Sequence, residues 1–150
     1  MRAQIPAIPA AFLALAIAGP AAAFDSEDLK RLRESERCTD CDLAGALMAD
    51  TELGGAVVAD SNLTAASFVN ARLVDADFSD ANLASVDFGE ANLTDADLAD
   101  ANLNGAILWD TDLTGANLSG TNLMEAMRVD VRYCRTTMPS GRVRHPRCSG

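Results

Sequence analysis

The chain has 150 residues and four cysteines, with 22 acidic side chains against 12 basic ones and a formal net charge of −10. A protein this acidic is expected to stay soluble and to repel nucleic acid and anionic lipid, except where basic residues cluster. The length is enough for one domain.

The first 23 residues are typical of a secretory signal peptide. Arg2 supplies a positive start, residues 10–18 are apolar, and the alanines at 21–23 predict cleavage before Phe24. The apolar run is too short for an ordinary transmembrane helix, so an uncleaved anchor is the less favoured alternative. We therefore expect an exported mature protein, periplasmic or secreted from a bacterium, with no stable membrane anchor after cleavage.

A short helix is predicted over residues 26–36, within an N-terminal capping helix and linker at 24–40. Asp25 or the serine after it is suited to accept the first free N–H groups, and two acids follow in the first turn. Leu29 and Leu32 lie three residues apart and share a face. Such a narrow apolar stripe favours a lid on a neighbouring structure over an independent helix.

A period of five dominates residues 41–125. Every fifth residue from 43 to 123 is large and apolar, and the residue two before each is small and uncharged. In an α-helix each large residue would be rotated by about 140° from the last, and in a flat strand they would alternate between faces. A β-solenoid fits instead, with a short extended piece pointing both residues inward and the remaining residues turning a corner.

The quintets resemble those of the pentapeptide-repeat family, whose pattern is A-(D/N)-L-x-x. Close matches are A-N-L at 81–83, 91–93, 101–103 and 116–118, and A-D-L at 96–98. C-T-D-C-D-L-A-G-A at 38–46 resembles the opening motif of the family, and Y-C-R-T-T-M-P-S-G at 133–141 resembles its closing motif. The resemblance implies an all-β fold, a right-handed quadrilateral β-helix of about four coils with a short N-terminal α-helical cap. A leucine column from 43 to 123 and an asparagine column from 62 to 122, both with a spacing of twenty, independently support four quintets per coil.

Cysteines lie only at the two ends of the repeat: Cys38, Cys41, Cys134 and Cys148. An even number in an exported chain predicts disulfides, and of the three pairings the local ones, Cys38–Cys41 and Cys134–Cys148, are favoured. A redox role for the first pair would need a thioredoxin-like setting, and a metal role would need a second pair at finger spacing. Residues 126–150, with six arginines and one aspartate, are predicted to form a C-terminal cap and basic tail.

The outward positions hold two candidate interaction surfaces, while no catalytic, cofactor or metal motif is apparent. With four quintets per coil, an acidic surface is formed by two neighbouring columns of aspartates. Its members are Asp60, Asp77, Asp80, Asp97 and Asp100. Like charges this close attract cations, so the columns are either a docking stripe or a weak divalent-cation site, or else a solvated face that keeps the rod soluble.

The second candidate surface is apolar. Ile107 and Trp109 both occupy outward positions of one quintet, and Leu47, Val69 and Met127 fall on the same predicted side. Exposed apolar clusters often mark contacts with a partner. The alternative is that the tail or another chain end covers them.

These patterns favour a non-enzymatic scaffold or protein-interaction module in the cell envelope, whose partner is another protein or a second copy, as in a homodimer. No cofactor is expected, and nucleic-acid binding is not favoured. The runner-up is a DNA-mimic protein, because some members of the family resemble duplex DNA in shape and charge and protect or inhibit DNA gyrase. A redox protein built on the first cysteine pair is the third option.

Overall fold

The computed structural model describes residues 24–145 and Cys148, so the expected signal peptide at 1–23 lies outside the described residues. The backbone winds into a solenoid of five-residue units. In each unit one outward residue makes a parallel bridge to the residue twenty positions away, and a two-residue turn follows. Because each extended piece is so short, regular strands within the described residues are limited to a terminal hairpin of β1 (Thr136–Thr137) and β2 (Val143–Arg144).

The bridges form four columns, which define four sides of the solenoid. Side 1 runs from Arg37 to Thr137, side 2 from Asp42 to Asn122, side 3 from Leu47 to Met127, and side 4 from Glu52 to Arg132. Twenty residues therefore make one coil, as the leucine and asparagine columns indicate. The ladder extends beyond 41–125 at both ends, because the backbone pairing continues where the side-chain pattern is lost.

The large apolar residues of the repeat fill the interior. All of them are buried except Leu123, which is partly buried on the last coil. The middle of the core holds three aromatic rings: Phe68 and Phe88, one coil apart, stack with centroids 5.3 Å apart, and Phe78 meets each edge-on at 5.7 Å. Small polar residues at inward positions are satisfied locally, as where Thr111 Oγ1 donates to the carbonyl of Phe88 at 2.8 Å.

Helix α1 (Ser26–Ser35) covers the first coil. Leu29 and Leu32 are buried against the core, as a lid requires, and the helix ends where Glu36 adopts a left-handed conformation with φ of 56°. Within residues 24–145, no helix is both long enough and apolar enough to cross a membrane.

Two residues at the start of this helical segment cap the open edge of side 2. The N–H of Asp25 donates to the carbonyl of Asp42 at 2.8 Å, and the N–H of Asp42 donates to Asp28 Oδ2 at 2.9 Å. In the rest of the column these groups pair with the neighbouring coil. The helical segment therefore gives Asp42 the hydrogen bonds that a preceding coil would have given it. Without them, this edge of the ladder would be left unpaired.

Candidate interaction surface

Side 1 and the corner that follows it bring the predicted acidic residues together. Asp77 and Asp97 are bridge partners on adjacent coils and are half-buried. Asp60, Asp80 and Asp100 follow each other at the corner, one coil apart, and all three are exposed. We call these five residues the acidic face.

The corner aspartates have a backbone role that the sequence analysis missed. Asp60, Asp80 and Asp100 have φ values of 58°, 57° and 56°, in the left-handed region. Aspartate and asparagine adopt this region more readily than other residues with a side chain, because their short polar group can bond locally. Part of the acidity of the rod therefore follows from how it turns its corners.

The half-buried aspartates hold the turn that follows them. Asp77 Oδ1 accepts hydrogen bonds from the N–H of Ser79 at 3.0 Å and from its hydroxyl at 2.6 Å. Asp97 Oδ1 accepts from the N–H of Ala99 at 3.0 Å and from Asn117 Nδ2 at 3.1 Å. One oxygen of each carboxylate is thus committed to the fold, and the negative charge remains at the surface.

The carboxylates of the acidic face do not gather around one point. Among the described residues, the group of acids and cysteines whose ligand atoms lie within 4.8 Å of one another is Asp28, Cys38 and Cys41. Its two sulfurs are joined in a disulfide and offer no thiolate. The negative charge of the acidic face is therefore spread over several coils.

Side 3 carries an apolar patch at its C-terminal half, formed by Ile107, Trp109, Met127 and Val129. Trp109 is 44% exposed, Met127 52% and Val129 47%, while Ile107 is half-buried. The indole lies against the coil above, since a Cβ on Gly89 would be 4.0 Å from its Cε3 atom. The tail as far as residue 145 leaves these side chains accessible.

The apolar patch differs at both ends from the sequence prediction, because it does not reach Leu47 and it includes Val129. Leu47 is 75% exposed, but Ser67 and Asp87 separate it from Ile107 in the same column. Val129 extends the patch instead. The signal for it was present, because Val129 follows Trp109 by twenty residues.

Disulfides fasten both ends of the solenoid. The structure joins Cys38 to Cys41 and Cys134 to Cys148, the two local pairings favoured from the sequence. Cys38 is 1% exposed and occupies the position that a large apolar residue takes in the next coils, so the first bond lies against the core. Among the described residues no cysteine is free.

The basic segment closes the C-terminal end around Tyr133. The guanidinium of Arg144 lies 4.9 Å from the centre of the Tyr133 ring. Burial raises the pKa of the Tyr133 phenol, and the nearby positive charges of Arg128 and Arg144 partly oppose this rise. Arg132 is paired differently, through a 2.9 Å hydrogen bond from its Nη1 to Asp112 Oδ2.

Comparison with known proteins agrees with this architecture. The family model for pentapeptide repeats (8 copies) matches residues 61–98 and 91–126. HetL, a pentapeptide-repeat protein involved in heterocyst differentiation regulation in Nostoc sp. strain PCC 7120, is 28% identical with a TM-score of 0.70. The alignment covers 72% of this chain and 51% of HetL, so this chain spans about half of that protein.

Other solved structures with the same repeat are more distant. Rfr23 from Cyanothece 51142 is 22% identical, with a TM-score of 0.45 and coverage of 75% of this chain and 95% of Rfr23. QnrB1, a plasmid-mediated fluoroquinolone resistance protein, is 17% identical, with a TM-score of 0.43 and coverage of 68% and 62%. None of the curated proteins matches the sequence. The likeness to HetL implies a right-handed β-helix, which agrees with the four columns of parallel bridges.

Proposed function

Since the chain is a pentapeptide-repeat protein, we propose that it acts as a non-catalytic scaffold that presents its acidic face to a basic surface of another protein. The observation that carries this proposal is the stacking of five aspartates over three coils of side 1 and its corner. The rod of about four coils is stiff, because each coil bonds to the next on every side. Docking to a stiff charged surface loses little conformational entropy.

The place of action in the proposal is the cell envelope, periplasmic or extracellular. The signal-like segment at 1–23 supports it, and so do the two disulfides, which persist in an oxidising space. Fractionation of cells that express the full chain tests this part. Recovery of the mature protein from the cytoplasm would overturn it.

Neutralising the acidic face tests the docking proposal. We expect the variant with Asp77, Asp80, Asp97 and Asp100 changed to asparagine to fold normally, because asparagine also adopts left-handed corners and accepts the same turn hydrogen bonds. It should lose the partner that the wild-type protein retains in an envelope pull-down at low salt. Retention of the same partner at the same salt concentration would remove the acidic face from the interface.

A matched control removes the same number of charges from the corner between sides 3 and 4. There Asp50, Asp110 and Asp130 are changed to asparagine and Glu90 to glutamine, all at left-handed corner positions. We expect this variant to keep the partner. Equal loss in both variants would mean that net charge, and not the acidic face, governs binding.

A contact through the apolar patch is a second component of the proposal, supported by the 44% exposure of Trp109. We expect Trp109→Ala to weaken partner capture or self-association without changing the salt dependence that the acidic face produces. Unchanged sedimentation and unchanged capture would exclude the apolar patch as a contact.

The second candidate function is that of a DNA mimic acting on DNA gyrase, which the repeated carboxylates of the acidic face favour. The arginine-rich C-terminal end and the disulfides weigh against it. A supercoiling assay with the mature protein decides between the two. Protection or inhibition of gyrase that disappears in the asparagine variant would replace the scaffold proposal.

A further inference from the structure

The C-terminal end of the solenoid differs from the rest of the surface in charge. Residues 121–145 carry five arginines against two acids, whereas residues 41–120 carry fourteen acids and one arginine. Arg128, Arg135, Arg142 and Arg144 are exposed there. The bond between Cys134 and Cys148 holds the tail at this end.

One arginine of this group stands in the register of the core. Arg128 follows Leu108 by twenty residues, in the column that holds Met48, Phe68 and Phe88 further up, and it is exposed where those residues are buried. Its charge acts on the phenol of Tyr133, which occupies the next inward position of the same coil. The inward register of this column therefore ends in an exposed cationic residue.

The backbone adds positive partial charge to the same end. In each quintet two N–H groups and one carbonyl point toward the next coil, as where Leu43 and Gly45 donate to Asn62 and Thr64 while Cys41 accepts from Asn62. On the last coil the corresponding donors have no partner among residues 24–145 and Cys148. These are the N–H groups of Leu123, Glu125, Arg128, Asp130, Tyr133 and Arg135. Arrays of free N–H groups at a sheet edge favour anions.

Exposed apolar side chains belong to the same last coil and to the hairpin that follows it, and two of them, Met127 and Val129, are also part of the apolar patch of side 3. Met124 is 66% exposed, Met127 52%, Val129 47% and Val143 48%. The end thus combines arginines, free N–H groups and flexible apolar side chains on one surface of the rod. We call it the basic end.

We propose that the basic end docks the rod end-on onto a bilayer surface that contains anionic phospholipids. Phosphate oxygens of the headgroups accept from the arginines and the free N–H groups, and the exposed methionines and valines enter the boundary between headgroups and acyl chains. The proposal stands independently of which protein the acidic face binds.

The acidic body does not prevent this docking. Charges separated by more than about 8 Å are largely screened at physiological salt, and successive coils lie about 5 Å apart. In an end-on pose the acids two or more coils away are therefore screened from the lipid, while the arginines touch it. A pose on the acidic face brings the carboxylates to the surface instead and is repelled.

A second copy fits the basic end less well than a lipid surface. Two basic ends brought together would oppose N–H groups with N–H groups and arginines with arginines. The opposite end of a second copy is covered by α1 (Ser26–Ser35), and Asp25 before the helix and Asp28 within it already pair the edge of side 2. The remaining option is that the basic end binds the acidic face of a second copy. The self-association measurement described below distinguishes this from binding to lipid.

Vesicle co-sedimentation of the oxidised mature protein tests the proposal. We expect binding to vesicles of phosphatidylglycerol and phosphatidylcholine, loss of binding in 0.5 M salt (about 4 Å screening length), and none to pure phosphatidylcholine. Because each arginine near an anionic surface contributes about fivefold, the triple variant Arg128→Gln, Arg135→Gln, Arg142→Gln should partition about a hundredfold less. Wild-type binding that is equal with and without the anionic lipid would overturn the proposal.

The matched control neutralises three exposed bases at the opposite end, Lys30→Gln, Arg33→Gln and Arg37→Gln. It has the same net charge as the triple variant and should bind anionic vesicles as the wild type does. Equal loss in the two variants would overturn the proposal, because only overall charge would then matter. Self-association in solution that the basic-end variant abolishes, without vesicle binding by the wild type, would assign the end to a second copy instead.

Hydrogen exchange of the wild-type protein tests the end-on pose without any variant. The free N–H groups of Leu123, Arg128 and Tyr133 should exchange fast in solution and slowly on anionic vesicles. Exposed backbone on the acidic face should keep its rate. Slowing on the acidic face with no change at these three residues would overturn the pose.

Discussion

Removing one ring from the centre of the core tests whether the large apolar ladder holds the solenoid together. Phe88 is fully buried, stacks on Phe68 and meets Phe78 edge-on. Phe88→Ala removes a whole buried ring and leaves a cavity, which costs about 3–5 kcal/mol of unfolding free energy. Phe88→Leu keeps most of the apolar volume but loses two aromatic pairs of about 0.5–1.5 kcal/mol each, so we expect a loss of about 1–3 kcal/mol.

The matched control lies on the same side of the solenoid, facing outward. Trp109 is 44% exposed and lies beside Gly89, which has no side chain to pack against it, so Trp109→Ala should cost about 1 kcal/mol or less. Urea denaturation of the oxidised mature protein, followed by far-ultraviolet circular dichroism, measures all three variants. If Trp109→Ala were as costly as Phe88→Ala, the assignment of inward and outward positions would be wrong.

Two further predictions concern the C-terminal end. Changing Cys134 and Cys148 to serine should lower the unfolding free energy by about 3 kcal/mol, because the bond closes a loop of about fifteen residues, and thermal unfolding of the oxidised wild type against the variant measures the loss. Since burial raises the pKa of Tyr133, the folded chain holds the phenolic proton more tightly than the unfolded chain. The contribution of Tyr133 to stability should therefore be fully present below about pH 10 and fall as pH rises toward the folded pKa. Tyr133 is the chain's only tyrosine, so tyrosinate absorbance reports its pKa directly. The positive charges of Arg128 and Arg144 favour the phenolate, so Arg128→Gln and Arg144→Gln should each raise the pKa of Tyr133 further.

The repeat could be predicted because every quintet has the same pattern of side chains and therefore favours the same local geometry. One large and one small residue, two positions apart, must point the same way, and the leucine column at a spacing of twenty indicates the coil length. The helical lid followed from Leu29 and Leu32, and the two local disulfides from cysteine spacing. Each of these features depends mainly on residues that lie close together in the sequence.

The ends and corners were harder to predict, because they depend on backbone groups and not on side-chain pattern. Nothing in the sequence marks Asp28 as the acceptor for the N–H of Asp42, since the helix must first be placed on the coil. Similarly, Arg128 stands where the pattern would have a large apolar residue, yet the adjacent residue Met127 is bridged to Ile107 and continues the ladder. The unpaired donors of the last coil become visible only when the direction of every hydrogen bond is known.

One corner residue can separate the backbone role of the acidic face from its charge. Asp80 lies between Asp60 and Asp100 at a left-handed corner with φ of 57°. Repulsion between carboxylates about 5 Å apart is about 0.8 kcal/mol per pair in water and weaker with salt, and Asp80 has two such neighbours. Asp80→Asn should therefore stabilise by at most about 1.6 kcal/mol, most at low salt. Asp80→Ala relieves the same repulsion, but alanine pays about 1–2 kcal/mol in the left-handed region.

The difference between the asparagine and alanine variants of Asp80 therefore isolates the corner term, and it should not change with salt in urea denaturation at two ionic strengths. Equal stability of the two variants would mean that the corner accepts any residue. The repeated aspartates would then have no backbone reason, and their conspicuous stacking would have to be explained by what the acidic face binds. A salt-independent difference of the expected size would mean that aspartate is present because it suits the left-handed turn. The stacked negative charge would then be a consequence of the turn, and a partner can still bind it.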